Sequence, residues 1–321
     1  IFKKYKRVVL MEIVYLDGQK VNIVEPICSA IGFFDGLHIG HMALVNEVKR
    51  VSEQKGYKKA LMTFDHYPLY VLGKIKEEKY LTSMNDRISL LEKEGLDYLF
   101  IVKFTKEVAA LSPEDFINQY LIDLHVKHIV CGFDFRFGKY NAGNTMTLQA
   151  CQQFNVSVIP EVLYKGEKIS STRIRHVLEQ GNIEEMNELL GRKYCVSGEV
   201  IKGRRIGHAI GFPTANVDYQ SYFLPCHGVY IVKVYVHGQG YMGMCNIGYN
   251  PTFTALDKPS LEVNILDFDG DIYHQYMIVE FYCLIRKEKP FASKEELIAQ
   301  LYEDKQKVRE YFKPQDKCPM V

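Results

Sequence analysis

Two histidines stand among glycines near the start of the chain, in a pattern suited to phosphate chemistry. Residues 32–41 read Gly-Phe-Phe-Asp-Gly-Leu-His-Ile-Gly-His. Glycines let the backbone approach a ligand closely, and the N-terminus of a following helix presents free N–H groups to phosphate. His38 and His41 can share one face of an opening helical turn and donate hydrogen bonds to phosphate oxygens. The segment predicts a triphosphate site, whereas a histidine pair alone also occurs as a structural contact.

A second polar segment suits the far end of the same ligand. Residues 168–175 read Lys-Ile-Ser-Ser-Thr-Arg-Ile-Arg. Hydroxyl groups at a helix start, together with the guanidinium groups of Arg173 and Arg175, form charge-assisted hydrogen bonds to β- and γ-phosphates. Either segment alone is a weak signal, but the two in this order favour binding of a nucleoside triphosphate.

A third glycine-rich segment lies in the second half of the chain. Residues 203–216 read Gly-Arg-Arg-Ile-Gly-His-Ala-Ile-Gly-Phe-Pro-Thr-Ala-Asn. It is not a Walker A loop, because no Gly-Lys-Ser/Thr follows the glycines. The glycines can still form a loop that cradles phosphates, with Thr214 and Asn216 as oxygen ligands for Mg²⁺.

An acidic residue interrupts an apolar run farther along the chain. Glu262 lies between Leu261 and Val263, and strand alternation points it away from both. The pattern alone favours a solvent-facing carboxylate over a functional one. Residues 267–271, Asp-Phe-Asp-Gly-Asp, lack the later glycine and glutamate of a calcium-binding EF-hand, so we predict a hairpin turn there.

Alternating strands and helices must position the first two segments. Strand-like and amphipathic stretches succeed one another: Pro26–Phe33, His41–Gln54, Ala60–Phe64, Asn85–Glu94, Tyr98–Val102, Pro113–Leu121, His128–Cys131, Thr145–Gln153 and Val156–Pro160. This alternation indicates a doubly wound parallel sheet, which binds ligands beyond the carboxyl ends of its strands.

The pattern changes after residue 170. Helices at Ser171–Glu179 and Ile183–Leu190 precede closely spaced strands, and a helix at 294–311 follows them. The predicted strands are Cys195–Ile201, Val229–Val236, Tyr241–Ile247, Leu261–Leu266 and Ile272–Leu284. Strands without intervening helices indicate an antiparallel barrel. We therefore predict two domains, 11–187 and 188–321.

Composition excludes several classes of protein. The 321 residues carry 40 basic and 39 acidic side chains, a net charge of +1, which argues against a general nucleic-acid binder. No apolar run reaches the roughly 18 residues of a membrane span. Eight cysteines without a Cys-x-x-Cys pair predict buried, reduced thiols in a cytoplasmic protein. We treat the basic residues 1–10 as an added or start-site segment.

The first two segments resemble the nucleotidyltransferase superfamily, in which a His-x-Gly-His loop and a Ser-Ser/Thr-x-x-Arg loop bind a nucleoside triphosphate. Class I aminoacyl-tRNA synthetases carry related signatures. The near-neutral charge and the small barrel count against that alternative.

The third segment and its surroundings resemble riboflavin kinase. The motifs that carry the resemblance are Gly-Phe-Pro-Thr-Ala-Asn at 211–216, Gly-Val-Tyr at 228–230, Asn-Ile-Gly-Tyr-Asn-Pro-Thr-Phe at 246–253, Leu-Glu-Val at 261–263 and Leu-Ile-Arg-Lys-Glu-Lys-Pro-Phe at 284–291. Joined to the nucleotidyltransferase half, and with Gly-Phe-Asp-Phe-Arg-Phe-Gly at 132–138, the chain resembles the bacterial bifunctional riboflavin kinase/FAD synthetase family over about residues 20–312.

The resemblance implies two reactions on small molecules, riboflavin, FMN and ATP, with Mg²⁺ as the partner of ATP. In the barrel, Glu262 would be the catalytic base that accepts the riboflavin 5′-hydroxyl proton, and Thr214 and Asn216 would be the Mg-ATP ligands. Further ATP contacts there would come from Gly203, Gly207, Gly211 and Pro213. Arg286 would contact the flavin.

In the first half, the resemblance implies transfer of AMP to FMN, giving FAD and pyrophosphate. His38 and His41 would stabilise the transition state at the α-phosphate. The other ATP contacts would be Gly32, Phe33, Asp35, Gly40, Ser170, Ser171, Thr172 and Arg175, and the flavin neighbours would be Asp134, Phe135, Phe137 and Asn144.

Four positions depart from the family pattern. Residues 63–68 read Thr-Phe-Asp-His-Tyr-Pro where a Pro-His-Pro ending is usual, and Asn141 replaces a commonly basic residue. His208 stands where Arg is common and Asn264 where His is common. The first two concern the adenylyltransferase, so a kinase with an impaired first half stays open, as does a flavin sensor without catalysis.

Overall fold

The computed structural model describes residues 11–19, 21–203, 207, 210–249 and 258–313. Residues 1–10 and His208 lie outside this range. Contacts divide the chain into two compact units, Ile1–Ser171 and Thr172–Val321. The domain limits drawn from the sequence, 11–187 and 188–321, stay a prediction.

The first unit is built on a six-stranded sheet in which every neighbouring pair is parallel. The strand order is β1-β4-β3-β2-β5-β8. The strands are β1 (Glu12–Leu16), β2 (Ile27–Ile31), β3 (Lys58–Phe64), β4 (Tyr98–Val102), β5 (Val126–Gly132) and β8 (Asn155–Ile159). Two short hairpins add β6 (Arg136–Phe137) with β7 (Gly143–Asn144) and β9 (Leu163–Tyr164) with β10 (Glu167–Lys168). The parallel sheet predicted from alternation is confirmed.

Helices connect these strands, and the longest of them buries one face against the sheet. They are α1 (Ile39–Lys55), α2 (Pro68–Val71), α3 (Met84–Lys93), α4 (Lys106–Ala109), α5 (Pro113–Ile117) and α6 (Thr145–Gln149), with a π-helical turn after α5 at Asn118–Ile122. Helix α1 ends at Gly56, whose φ of 70° suits a left-handed C-cap. Among the described residues, no helix is both long enough and apolar enough to cross a membrane.

The second unit is a closed antiparallel barrel of six strands with a terminal helix. Helices α7 (Ser171–Glu179) and α8 (Ile183–Leu190) precede β11 (Tyr194–Ile201), β12 (Ala215–Asp218), β13 (Gly228–Val236), β14 (Gln239–Gly248), β15 (Ser260–Ile265) and β16 (Tyr276–Lys287), and α9 (Lys294–Phe312) follows. The barrel order is β11-β12-β15-β14-β13-β16. The predicted antiparallel barrel and terminal helix are confirmed.

Two details of the barrel differ from the prediction. Strands β15 and β16 are not neighbours, so the predicted hairpin at residues 267–271 is wrong, and this segment is a longer connection. The predicted strand from Ile272 begins only at Tyr276, because His274 has a φ of 61° and interrupts extended backbone. A hairpin turn occurs instead at His237-Gly238, which joins the paired strands β13 and β14.

The described cysteines are free thiols, distributed over both units. Burial raises the pKa of Cys28 to about 12 and that of Cys131 to about 11 in the first unit. In the second unit, burial raises the pKa of Cys245, and it raises that of Cys283 to about 11. Of the described cysteines, Cys28, Cys131 and Cys245 are buried as predicted, whereas Cys151, Cys195, Cys226 and Cys283 are half-buried.

Candidate active sites

The histidine pair lies at the junction of β2 and α1. His38 is the N-cap of α1, and its Nδ1 accepts a hydrogen bond from the backbone N–H of His41 at 3.2 Å. The two imidazole rings are stacked, with centroids 3.6 Å apart. Because Nδ1 of His38 is an acceptor, its neutral ring carries the proton on Nε2, which is then a donor. The first turn of α1 has no acidic side chain, which favours an anion at this helix end.

A cavity of about 230 Å³ opens beside these rings. It collects the loop after β2, the loop after β5 and the segment that leads into α7. Of the predicted contacts it brings together Gly32, His38, Gly40, His41, Asp134, Phe135, Ser170 and Ser171. A Cβ on Gly40 would lie 3.1 Å from the His38 ring, so a larger residue there would have to displace the ring by a few tenths of an ångström.

Two buried charged residues, Asp35 and Arg87, fix the loop between β2 and α1, which we call the nucleotide loop. The carboxylate of Asp35 accepts hydrogen bonds from the backbone N–H groups of Leu81 at 2.9 Å and Thr82 at 3.2 Å. Arg87, on α3, donates to the carbonyl oxygen of Phe33 at 2.8 Å. Burial lowers the pKa of Arg87, and the nearby Asp35 carboxylate opposes that shift. Asp35 and Phe33, predicted as ATP contacts, therefore tie the loop to the segment around α3.

The predicted flavin neighbours divide into two groups. Asp134 lies at the cavity, and its Oδ2 accepts from Lys168 Nζ at 2.5 Å. Phe137 is buried in the core of the unit, 5.6 Å from Phe135 and 5.3 Å from Phe116 between ring centroids. The side chain of Asn144 caps α6 by accepting from the Thr147 N–H at 3.1 Å. Phe137 and Asn144 therefore stabilise the fold around the cavity and are not among the residues that line it.

Other residues singled out in the sequence are not among the residues that line this cavity. Thr172 and Arg175 belong to the second unit, where Arg175 Cζ is 5.8 Å from the ring centroid of Phe223. His66 pairs with Glu78, with 2.9 Å between Nδ1 and Oε2, and is half exposed. Asn141 is exposed and has a φ of 57°.

In the barrel, strand register sets the candidate kinase residues side by side. Asn216 on β12 is paired with Glu262 on β15, and Glu262 is paired with Asn246 on β14. Asn246 is paired with Val229 on β13, which is paired with Arg286 on β16. All five residues line one cavity of about 730 Å³. We call them the register row.

Glu262 is held by short polar side chains on one side of its strand. Leu261 and Val263 are buried, so the predicted alternation is confirmed. Thr214 Oγ1 donates to Oε2 and Ser260 Oγ to Oε1, each at 3.3 Å. Since Glu262 is only partly exposed and lines the cavity, it is not a fully solvent-facing carboxylate.

A second barrel cavity, of about 520 Å³, adjoins the first at Thr214. Its other lining residues include Pro213, Ala215, Val263, Phe268 and Ile272. Thr214 faces both cavities, so two ligands could meet at this residue.

The glycine-rich loop approaches the register row closely. A Cβ on Gly203 would lie 2.0 Å from Asn216 Nδ2, and one on Gly207 would lie 2.2 Å from the Phe212 carbonyl oxygen. Gly211 has a φ of 80°, which suits glycine. Residues 204–206, 208 and 209 lie outside the described part. Asn264 Nδ2 donates to the Pro213 carbonyl at 2.7 Å and so holds the end of the loop.

The donor set around Thr214 suits a hard cation. The described residues contain no group of three or more His, Cys, Asp or Glu side chains that could hold a metal ion by themselves. Thr214 Oγ1 and the amide oxygen of Asn216 are neutral oxygen donors beside the Glu262 carboxylate. Mg²⁺ is often bound by few protein oxygens and completed by water and substrate phosphates. The residues present fit such a shared site.

Sequence reasoning did not select Asn246 or Arg87 as site-related residues. Asn246 could have been found, because it is an amide in an otherwise apolar strand and belongs to a motif quoted above. Arg87 gives no local signal: in sequence it is one charged residue of an amphipathic helix, and its contact with Phe33 spans 54 positions.

Comparison with known proteins identifies a family for each half of the chain. Residues 21–173 match the family model for FAD synthetase, and residues 190–312 match that for riboflavin kinase. A bifunctional riboflavin kinase/FMN adenylyltransferase of Bacillus subtilis (strain 168) is 43% identical over 88% of this chain and 92% of its own length. The Escherichia coli (strain K12) protein of that name is 35% identical over 90% and 93%.

A solved structure has the same fold over nearly the whole chain. It is described as a macrolide-efflux protein from Streptococcus pneumoniae and has a TM-score of 0.87, with 31% identity over 93% of this chain and 99% of its own. The family models and the curated relatives identify the two halves independently of that structure. The chain belongs to the bifunctional riboflavin kinase/FMN adenylyltransferase family.

Proposed function

We propose that the barrel unit phosphorylates riboflavin to FMN with ATP and that the first unit joins FMN to AMP from a second ATP, releasing pyrophosphate. The observation that carries the kinase half is the register row: Glu262 lines a ligand-sized cavity beside Asn216 and Arg286. Thr214 connects that cavity to a second one. The substrates are small molecules, and no nucleic-acid partner is required.

In the kinase reaction, the riboflavin 5′-oxygen attacks the γ-phosphorus of ATP. The new P–O bond forms as the bond to ADP breaks, and Glu262 accepts the proton of the hydroxyl. Hydrogen bonds from Thr214 and Ser260 orient the carboxylate for this role. We place riboflavin in the 730 Å³ cavity and the nucleoside of ATP in the 520 Å³ cavity, with the ATP phosphates extending past Thr214 to Gly207 and Asn216 of the larger cavity.

Thr214 and Asn216 would hold Mg²⁺ together with the ATP phosphates. Bound there, the ion would neutralise charge on the transferring phosphoryl group. Gly203 keeps space for the Asn216 amide, since any larger residue would displace it. The glycine loop would then bring backbone N–H groups to the phosphates.

In the adenylylation, a phosphate oxygen of FMN attacks the α-phosphorus of ATP and pyrophosphate leaves. The attacking group is already an anion, so no general base is required. His38, through Nε2, and His41 would donate to the oxygens that gain charge in the transition state. Ser170, Ser171, Thr172 and Arg175 would bind the departing pyrophosphate.

A product assay tests both halves. Flavin-stripped protein is incubated with riboflavin, ATP and Mg²⁺, and the flavins are separated over time. FMN that appears first, followed by FAD, supports both assignments. Formation of FMN without any FAD would contradict the adenylyltransferase assignment. Tight riboflavin binding without ADP or pyrophosphate release supports a flavin sensor instead.

A further inference from the structure

The terminal helix carries an acid within its apolar face. In α9, Leu297, Leu301, Asp304 and Val308 follow one another at spacings of four, three and four, the repeat of one helix face. Leu297 and Leu301 line the 730 Å³ cavity, and Val308 is buried in the cluster that contains Val229. Asp304 lies between them and has no exposed surface. A hydrophobic residue is the ordinary occupant of such a position, and departures from the local pattern concentrate at functional sites.

The buried carboxylate is fully engaged. Its Oδ2 accepts from Arg286 Nε at 2.8 Å, and its Oδ1 accepts from Gln300 Nε2 at 3.1 Å. A carboxylate without such partners would be strongly destabilised by burial. Stability alone does not account for the pair, because apolar residues in place of a buried ion pair are often neutral or stabilising.

The contact with Asp304 fixes the orientation of Arg286. With Nε held by Asp304, the planar guanidinium also packs against Phe291, whose ring centroid is 5.4 Å from Cζ. Nη1 faces the Lys287 carbonyl at 3.5 Å. Within the described residues, Nη2 makes no hydrogen bond, and Arg286 stands in the register row with Glu262. One donor is therefore held in place for a ligand.

We propose that Asp304 is a positioning residue of the kinase site, which holds Arg286 so that Nη2 donates to an oxygen of the flavin substrate. The proposal rests on the proposed function, and it makes the terminal helix part of a site otherwise built from barrel strands. Asp304 acts through Arg286 and does not itself contact the substrate.

The experiment compares Asp304→Leu and Asp304→Asn in the full chain, with Glu310→Gln as the control for an exposed acid on the same helix. Riboflavin phosphorylation and adenylylation of added FMN are measured separately, and the thermal midpoint is recorded. We expect Asp304→Leu to lower kcat/KM for riboflavin by about ten- to hundredfold, since a misplaced binding group costs that much. Adenylylation stays unchanged, and Asp304→Asn has a smaller effect because it can still accept from Nε.

A double-mutant cycle separates positioning from packing. If Asp304 acts through Arg286, Asp304→Leu adds little to the loss already caused by Arg286→Gln. Additive losses, or kinetics of Asp304→Leu equal to wild type, overturn the proposal. Should the leucine variant not fold, Asp304→Asn in the same cycle decides by the same criterion. Absence of FMN formation by the wild-type chain would instead refute the proposed function.

Discussion

In the barrel, the hydrogen-bonding register of five strands sets Asn216, Glu262, Asn246, Val229 and Arg286 in one row. In the parallel-sheet unit, the residues around the histidine pair come from separate loops and depend on buried charges beneath them. The first arrangement is held by backbone pairing that spans the barrel. The second relies on a few side-chain contacts between distant segments. The backbone of the kinase site should therefore tolerate the loss of one side-chain contact better than the loops of the first unit, although the orientation of the Arg286 side chain still depends on Asp304.

Glu262→Gln should produce the largest difference between the effects on the two activities. Loss of the proton acceptor is expected to lower riboflavin phosphorylation by about 10²–10⁴. Adenylylation of added FMN should not change, because the substitution lies in the barrel. Glu199→Gln, which alters an exposed carboxylate of the same barrel, is the matched control. An equal loss of both activities would break the two-site comparison.

The converse substitution is His41→Ala. Removal of a donor to the α-phosphate is expected to lower adenylylation by about 10²–10³ and to leave the kinase intact. His125→Ala serves as control, because that exposed histidine belongs to the same unit and its Nδ1 lies 3.2 Å from the Val24 carbonyl oxygen. Full adenylylation by His41→Ala would remove the histidine pair from the mechanism.

Arg87→Met tests whether buried side chains hold the nucleotide loop. The variant loses the charged hydrogen bond to the Phe33 carbonyl, so we expect the free energy of unfolding of the first unit to fall by about 1.5–3 kcal/mol. Adenylylation should fall about ten- to hundredfold as the loop shifts. Urea unfolding and both activities are measured, with Arg50→Met as the exposed control. Unchanged adenylylation would show that the loop keeps its shape without this contact.

The smallest effect is expected for His66→Ala. His66 lies in the segment that departs from the family pattern, but its half-exposed ring pairs with Glu78. An exposed ion pair contributes about 0.2–1 kcal/mol, so adenylylation should change by less than about fivefold. A loss as large as that of His41→Ala would show that His66 serves the reaction directly.

The sequence predicted regular elements better than supporting contacts. The pattern placed β4 at Tyr98–Val102, which is a continuous buried apolar run, and both α7 and α8, which bury one face, at their observed bounds. The sequence pattern did not indicate β1, an edge strand with exposed Tyr15. It also did not indicate β12, which follows Pro213 at the end of the glycine-rich segment. Short or half-exposed strands give little periodic signal.

The same distinction holds for the site residues. His38 and Gly40 were predicted because residues of specific types lie close together in the chain, whereas the role of Glu262 was predicted only through the family resemblance. Asp304 could not be predicted in this way, since its role depends on a strand 18 positions earlier that reaches it only in the fold. In sequence, Asp304 shows only as an acid on an apolar helix face, and the residue that it holds becomes visible only in the fold.

The buried thiols allow local unfolding of each unit to be measured by cysteine alkylation. At neutral pH, Cys28 and Cys131 in one unit and Cys245 in the other are protonated and buried, so alkylating reagents reach them only when the surrounding structure opens. Labelling rates read by peptide mass would time the opening of each unit without an engineered probe. A ligand that binds one unit should slow labelling of that unit alone.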